Sequence, residues 1–331
     1  MTIKSLAVLF VAATMPHLVA AEQLPTQPQH ANAQDLIEVF EKSGGKHPGI
    51  RKGHAKGVCA VGEFVGSEQA ALYTNSLLFS GATIPAVMRF SMAGQNPIVP
   101  DSSRSPRGLG VKFSLPNGGV HHIAMLSTPM FGANSPESFL GLMRAGAPDE
   151  QGKRDPARVA AYRAAYPDTQ PQADWLMNNP IPRSYKDVHY YGVHTFFFKN
   201  EAGVEVPARY SLEARDGYHG LDETDLDALG NDFLAARLQD ELATAPAYFD
   251  YYITLAEEGD NLLDPSQTWP EERERVLLGT LKVTTSGGEA CTPINFDPNI
   301  ISAGVRSSDD AVLKIRSPAY AISFARRLTG K

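Results

Sequence analysis

The run Arg51-Lys52-Gly53-His54-Ala55-Lys56-Gly57-Val58-Cys59-Ala60-Val61-Gly62-Glu63-Phe64-Val65 holds two messages. Its second half alternates, Val58 and Ala60 against Cys59 and Val61, which is the period of a half-buried strand. The habit returns at residues 87–91, at 108–114 through Leu109, Val111 and Phe113, and at 194–198, 206–215, 249–256 and 276–285. About seven strands are therefore expected, and Asn200-Glu201-Ala202-Gly203 has the composition of a hairpin turn. Helices are predicted over 33–43, 135–145, 156–165 and 222–243; in the last, Leu226, Leu229 and Phe233 recur at three-four spacing, and Glu223 and Asp225 suit the positive helix end. The mixture predicts an α+β fold. A closed or strongly curved antiparallel sheet decorated by helices is the expected body, one able to enclose a flat hydrophobic ligand.

The chain has 331 residues, enough to bury a cofactor in a proper core. Its net charge is −7 with Lys and Arg scattered, which excludes an electrostatic surface for nucleic acid. Residues 1–21 read as a signal peptide: Lys4 supplies the positive start, an apolar run follows, and Val19-Ala20-Ala21 offers small residues for cleavage. The expected order is signal peptide 1–21, polar Pro-rich linker 22–34 and one domain over 35–331. No later run has the apolar length of a membrane span, so no membrane partner is expected. Cys59 and Cys291 either form a disulfide in an oxidising compartment or leave Cys59 as a small buried hydrophobe. Neither lies in a CxxC or CxxCH pattern, so thiol redox chemistry, a zinc ribbon and covalently attached haem lack support.

Chemistry concentrates in three places. In the first half of the opening run, His54 lies between glycines ahead of a strand, as either a structural or a catalytic histidine. Val87-Met88-Arg89-Phe90-Ser91 precedes Ser105-Pro106-Arg107-Gly108-Leu109-Gly110-Val111-Lys112-Phe113. A buried Arg89 needs a carboxylate, from a ligand or from the protein. Finally, Phe296-Asp297-Pro298 and Asp310 lead into Arg316-Ser317-Pro318-Ala319-Tyr320, with Arg326-Arg327 beyond. Either Ser317-Pro318 opens a helical turn or Pro318 kinks a longer helix, and both place Arg316 within a turn of Tyr320. An arginine beside a phenol favours the phenolate, a hard ligand suited to ferric iron. Taken alone, a surface helix whose tyrosine packs on the core explains the pattern as well.

Together with Tyr191-Gly192-Val193-His194-Thr195-Phe196, these pieces resemble the catalase family over about residues 47–327, and within it the minimal-core, catalase-related peroxidases of periplasmic type. The resemblance implies a catalase-like antiparallel β-barrel with surrounding helices enclosing haem b. It implies that Tyr320 ligates the iron, that Arg316 hydrogen-bonds the tyrosine oxygen, and that Asp310 and His194 extend that network. Arg51, Arg89 and Arg327 match the arginines that hold the propionates. Phe131 and Phe139 match aromatic positions of the distal side, and Ser91 matches a serine that orients the distal histidine. That histidine is His54, which takes the proton from the near peroxide oxygen and returns it to the far one.

Three positions depart from the family pattern. Leu126, in Ala124-Met125-Leu126-Ser127-Thr128-Pro129, stands at the distal asparagine; Gly53 replaces the valine before the distal histidine; Ser105 replaces the access-channel aspartate. All three point to a peroxidase that reduces hydrogen peroxide or organic peroxides with a small organic reductant, retaining weak catalase activity. The chain ends eleven residues after Tyr320, so a more open pocket and a monomer or small homo-oligomer are expected. The alternatives are a catalase proper, a hydroperoxide isomerase of the allene oxide synthase type, and a non-enzymatic haem carrier.

Overall fold

The computed structural model describes residues 26–226 and 228–330. The expected signal peptide, residues 1–21, lies outside the described residues. Eight antiparallel strands follow one another round a barrel: β1 (Gly57–Gly66), β2 (Thr83–Met92), β3 (Arg107–Ser114), β4 (Val120–Leu126), β5 (Tyr190–Lys199), β6 (Glu205–Ala214), β7 (Ala247–Leu255) and β8 (Arg275–Ser286). Each pairs with its sequence neighbours, and β8 returns to pair with β1, Phe64 opposite Leu281. A short strand, Val305–Ser307, adds to the edge of β5. Register shifts at Val61/Gly62, Leu277/Gly279 and Gly192/Phe196 supply the bends that closure needs. The expected turn is present, with Gly203 donating to Asn200 O and joining β5 to β6.

Alternation separates two environments. Met88, Phe90, Leu109, Val111, Phe249, Tyr251 and Ile253 fill the barrel interior, with Phe64 at its centre against Phe79, Phe113 and Tyr251. Their neighbours Arg89, Ser91, Gly108 and Gly110 therefore lie on the outer face. Helices cover that face. Ala33–Gly44 and Pro136–Gly146 pack through Leu36, Val39 and Leu140, with Phe40, Phe139 and Ile315 against them. The C-terminal helix, Ala311–Thr329, supplies Ile315.

Several expectations need correction. Strand β4 was not among the expected seven, because its central five residues are buried and leave no polar-apolar alternation to read. The expected helix 222–243 is broken into Glu223–Leu226 and Phe233–Thr244. Between them Asn231 O accepts from Asp101 N and Lys56 Nζ, and Asp101 Oδ2 accepts from Leu234 N at the start of the second piece. These tertiary bonds outcompete a continuous helix. Pro171–Asn178 forms an unforeseen short helix. Ser317-Pro318 does not open a helix: Pro318 lies inside the 19-residue C-terminal one, which Asp310 caps by accepting from Val312 N and Leu313 N. The linker expected over 22–34 is tied down where it is described, with Gln27 N donating to Tyr166 Oη and Ala31 N to Glu137 Oε1, and the first helix begins inside it at Ala33.

Candidate active site

The turn ahead of β1 delivers His54 in an unusual conformation. Its φ is 51°, and among the described residues it alone, glycines apart, adopts a positive φ. A side chain in the left-handed region costs energy, so the turn persists only if neighbours hold it. Arg89 reaches across from β2, Nη1 donating to His54 O at 2.7 Å and Nη2 to Ala55 O at 3.1 Å. The imidazole Nδ1 lies 3.0 Å from Ser91 Oγ. Ser91 has a single hydroxyl proton, and it donates to Gly108 O at 3.3 Å. Its oxygen therefore accepts from His54 Nδ1–H, which leaves Nε2 without a proton and able to act as a base. Only a glycine fits at 108, since a Cβ there would sit 2.5 Å from His54 Nδ1 and 2.8 Å from Ser91 Oγ. Burial, reinforced by Arg89, Arg316 and Arg51, pushes the His54 pKa down to about 3, so the ring is neutral at physiological pH.

The C-terminal helix brings Tyr320 to the same place. Arg316, one turn earlier, donates from Nη2 to Tyr320 Oη at 2.8 Å. Burial opposes the Arg316 charge, but the Tyr320 oxygen, with Tyr210 and Asp297 adding to it, holds the guanidinium above its ordinary pKa. The helix is pinned from outside by Ser317 Oγ, which donates to Asp297 Oδ1 at 3.0 Å, and by Asn299 Nδ2, which donates to Ser317 Oγ at 2.9 Å. At its start, Asp310 Oδ2 lies 2.5 Å from His194 Nδ1, with both residues buried. Burial lowers the His194 pKa, Asp310 works the other way, and Arg316 adds to the lowering.

Between these groups lies a cavity of about 230 Å³. Arg51, Gly53, His54, Arg89, Ser91, Leu126, Phe131, Phe139, Arg316 and Tyr320, all singled out by sequence, line it. Phe131 and Phe139 pack with ring centroids 4.8 Å apart and their planes tilted by 47°. Asp310, His194 and Arg327 stay outside the wall: the first two pair with each other, and Arg327 lies near the end of the C-terminal helix. No hydrogen bond joins Arg316 to His194 or Asp310, so the expected network is divided into two pairs among the described residues. Ser105 is not in the wall either, and its hydroxyl donates to Ala93 O at 2.9 Å. Sequence reasoning did not name Leu36, Ile37 and Phe40, which line the cavity from the first helix, nor Ile315, one residue before Arg316. The three-four spacing of the first three was the available signal. The disulfide between Cys59 and Cys291 closes the choice left open earlier. It holds the segment whose carbonyls, Cys291 O and Ile294 O, accept from Arg51 Nη2 at 3.0 and 2.8 Å.

The donor set fits an iron porphyrin. Burial, Arg89 and Arg327 push the Arg51 pKa down to about 9, while Tyr320 pulls the other way. Burial and Arg327 lower that of Arg89 to about 10 against a contribution from Tyr185, and burial lowers that of Arg327. Guanidinium groups stay protonated in proteins, so these shifts register positive charge that lacks a counter-ion. No carboxylate among the described residues pairs with any of the three, and Arg327 Nη2 is buried without a partner. Two propionates on a flat apolar ring would relieve that imbalance, and the Tyr320 oxygen is a hard donor for ferric iron.

Residues 21–331 match the protein-family model described as catalase. The chain is 40% identical over 299 residues to the catalase-related peroxidase of Synechococcus elongatus, covering 89% of this chain and 88% of that protein. It is 30% identical over 298 residues to the catalase-related peroxidase of Mycolicibacterium paratuberculosis, covering 88% and 93%. A solved bacterial catalase superposes with a TM-score of 0.78 at 23% identity, over 98% of this chain and 68% of that one, which shows the shared fold.

Proposed function

Since the chain belongs to the catalase family and is a haem-dependent oxidoreductase acting on peroxide, we propose that it carries haem b on Tyr320 and reduces hydrogen peroxide or organic peroxides at the expense of a small organic reductant. One observation carries the reading: a phenol that accepts from an arginine, Tyr320, and a neutral imidazole, His54, line one cavity beside arginines that lack counter-ions. Tyr320 would ligate the iron, and Arg51, Arg89 and Arg327 would neutralise the propionates. When bound, the haem supplies an iron that passes electrons from the donor to the peroxide.

The protein's own contribution is proton management. His54 Nε2 takes the proton from the near oxygen of the peroxide and hands it to the far one, which leaves as water or an alcohol. Ser91 keeps the ring in the tautomer that permits this, and Arg316 keeps positive charge beside the Tyr320 oxygen. Leu126 offers the peroxide no hydrogen bond, and Gly53 adds no bulk to the wall. The balance should favour oxidation of organic donors over oxygen release. Export to the periplasm is part of the proposal. The leader-like residues 1–21 and the Cys59–Cys291 disulfide, a bond that persists in oxidising compartments, support it.

Tyr320→Phe keeps the ring and removes the ligand oxygen. The variant is expected to lose haem during purification and to lack the wild-type charge-transfer absorption. Full haem content with an unchanged spectrum would overturn the assignment of Tyr320.

A further inference from the structure

We propose that Arg89 is the positioning residue for His54, clamping two consecutive carbonyls so that a strained turn presents the imidazole to the cavity. The inference rests on the reading of His54 as proton carrier. The clamp itself stands on geometry. His54 is the sole described residue other than glycine with a positive φ, 51°. Its own carbonyl and that of Ala55 are the two acceptors of Arg89, at 2.7 and 3.1 Å. A left-handed residue turns its carbonyl away from the path that a strand or helix would give it, so this pair of oxygens needs a donor from another element. The fork of a guanidinium spans neighbouring carbonyls, which a single ammonium does not.

The surroundings are shaped for that fork. A Cβ on Gly57 would lie 2.7 Å from Arg89 Cζ and 2.4 Å from Phe90 O, so the absence of a side chain at 57 lets the guanidinium pass. Ala55 N donates to Gly94 O and Met92 N to Lys56 O, which brackets the turn against the end of β2. From the same strand Ser91 receives the ring of His54. Arg89 therefore sets the backbone and Ser91 the imidazole, two residues apart on one face of β2. Two of the five guanidinium protons are spent on the carbonyls, and the rest remain free for an anion in the cavity.

The test separates clamping from anion binding. Arg89→Lys keeps the positive charge and loses the fork; Arg89→Gln loses both. Imidazole nitrogen NMR on the apoprotein, which needs no cofactor, should report a single Nδ1–H tautomer for His54 in the wild type and a mixture of tautomers in Arg89→Lys. In the haem-loaded protein, the rate constant for reaction with hydrogen peroxide should fall on the order of 10²-fold in Arg89→Lys, as expected for a misplaced proton carrier. Loss of the signal in the apoprotein without loss of rate would refute the role of His54 and leave the clamp standing. A wild-type tautomer and a wild-type rate in Arg89→Lys, with haem retention weakened only in Arg89→Gln, would overturn the clamp and leave Arg89 as an anion ligand. Should Arg89→Gln fail to fold, the Arg89→Lys measurements decide alone.

Discussion

Replacing Leu126 by Asn tests how the protein divides peroxide between two fates. Leu126 closes strand β4, pairs with Gly108 of β3, and stands in the cavity wall with His54 and Ser91. Asn is close to Leu in shape, so the change adds a donor without opening a void. One hydrogen bond to peroxide contributes about 0.5–1.5 kcal/mol net, which corresponds to roughly 2- to 13-fold in rate at about 1.4 kcal/mol per decade. Disproportionation uses two peroxides per cycle and dye oxidation only one, so the ratio of oxygen release to dye oxidation should rise by about that factor. The assay runs an oxygen electrode and a dye spectrophotometer on one preparation, across hydrogen peroxide concentrations. An unchanged ratio at equal haem content would refute the reasoning, because it would mean that the distal wall does not decide the fate of peroxide.

Removing the proton carrier, His54→Ala, should slow peroxide cleavage by about 10²-fold or more at equal haem occupancy, read by stopped flow. In the intact protein the imidazole stays neutral until pH falls towards about 3. The cleavage rate should thus show no acid limb between about pH 7 and 5 of the kind an unperturbed histidine gives near 6.5, and such a limb would refute the depression of the His54 pKa by burial. Deleting the Cys59–Cys291 bridge by paired Ala substitutions frees a loop of 232 residues in the unfolded chain. For a loop that long the chain-entropy account gives roughly 5.5 kcal/mol of lost stability, to be read by denaturant titration of the apoprotein. Acid should also destabilise the fold through His121, which burial, with His122 beside it, depresses to about 3. The unfolded state then binds more protons, so each pH unit below about 6.5 costs roughly 1.4 kcal/mol for this group until its folded pKa is reached. His121→Gln should flatten the melting temperature against pH by that share, and an unaltered slope would discount it.

Local chemistry carried most of what could be read in advance. Strands with one dry face announce themselves by alternation, as β1 does from Val58 onward, and the hairpin at Asn200–Gly203 by composition. Arg316 and Tyr320 are one helical turn apart, so their 2.8 Å contact follows from periodicity once the segment is helical. Long-range geometry escaped for equally physical reasons. Strand β4 is covered by the barrel on one side and by residues such as Ile300 and Phe296 on the other, which erases its pattern. The break near Asn231 depends on Lys56 and Asp101, more than a hundred residues earlier. His194 and Asp310 satisfy one another rather than Arg316, and Ser105 turns to a backbone carbonyl, because hydrogen bonds go to the partner that folding brings nearest.

By itself, then, the order of residues determined that β-strands and helices combine in one α+β chain, that a tyrosine and a histidine with the right neighbours exist, and which family pattern they follow. The tertiary structure alone decided that residues 54, 89, 91 and 320 line one cavity, that the arginines around it lack counter-ions, and that His54 is held in a conformation its own backbone would avoid. The division has a single cause. Periodicity and capping act within about one turn or one strand, whereas burial, charge balance and backbone strain depend on groups brought together only when the barrel closes.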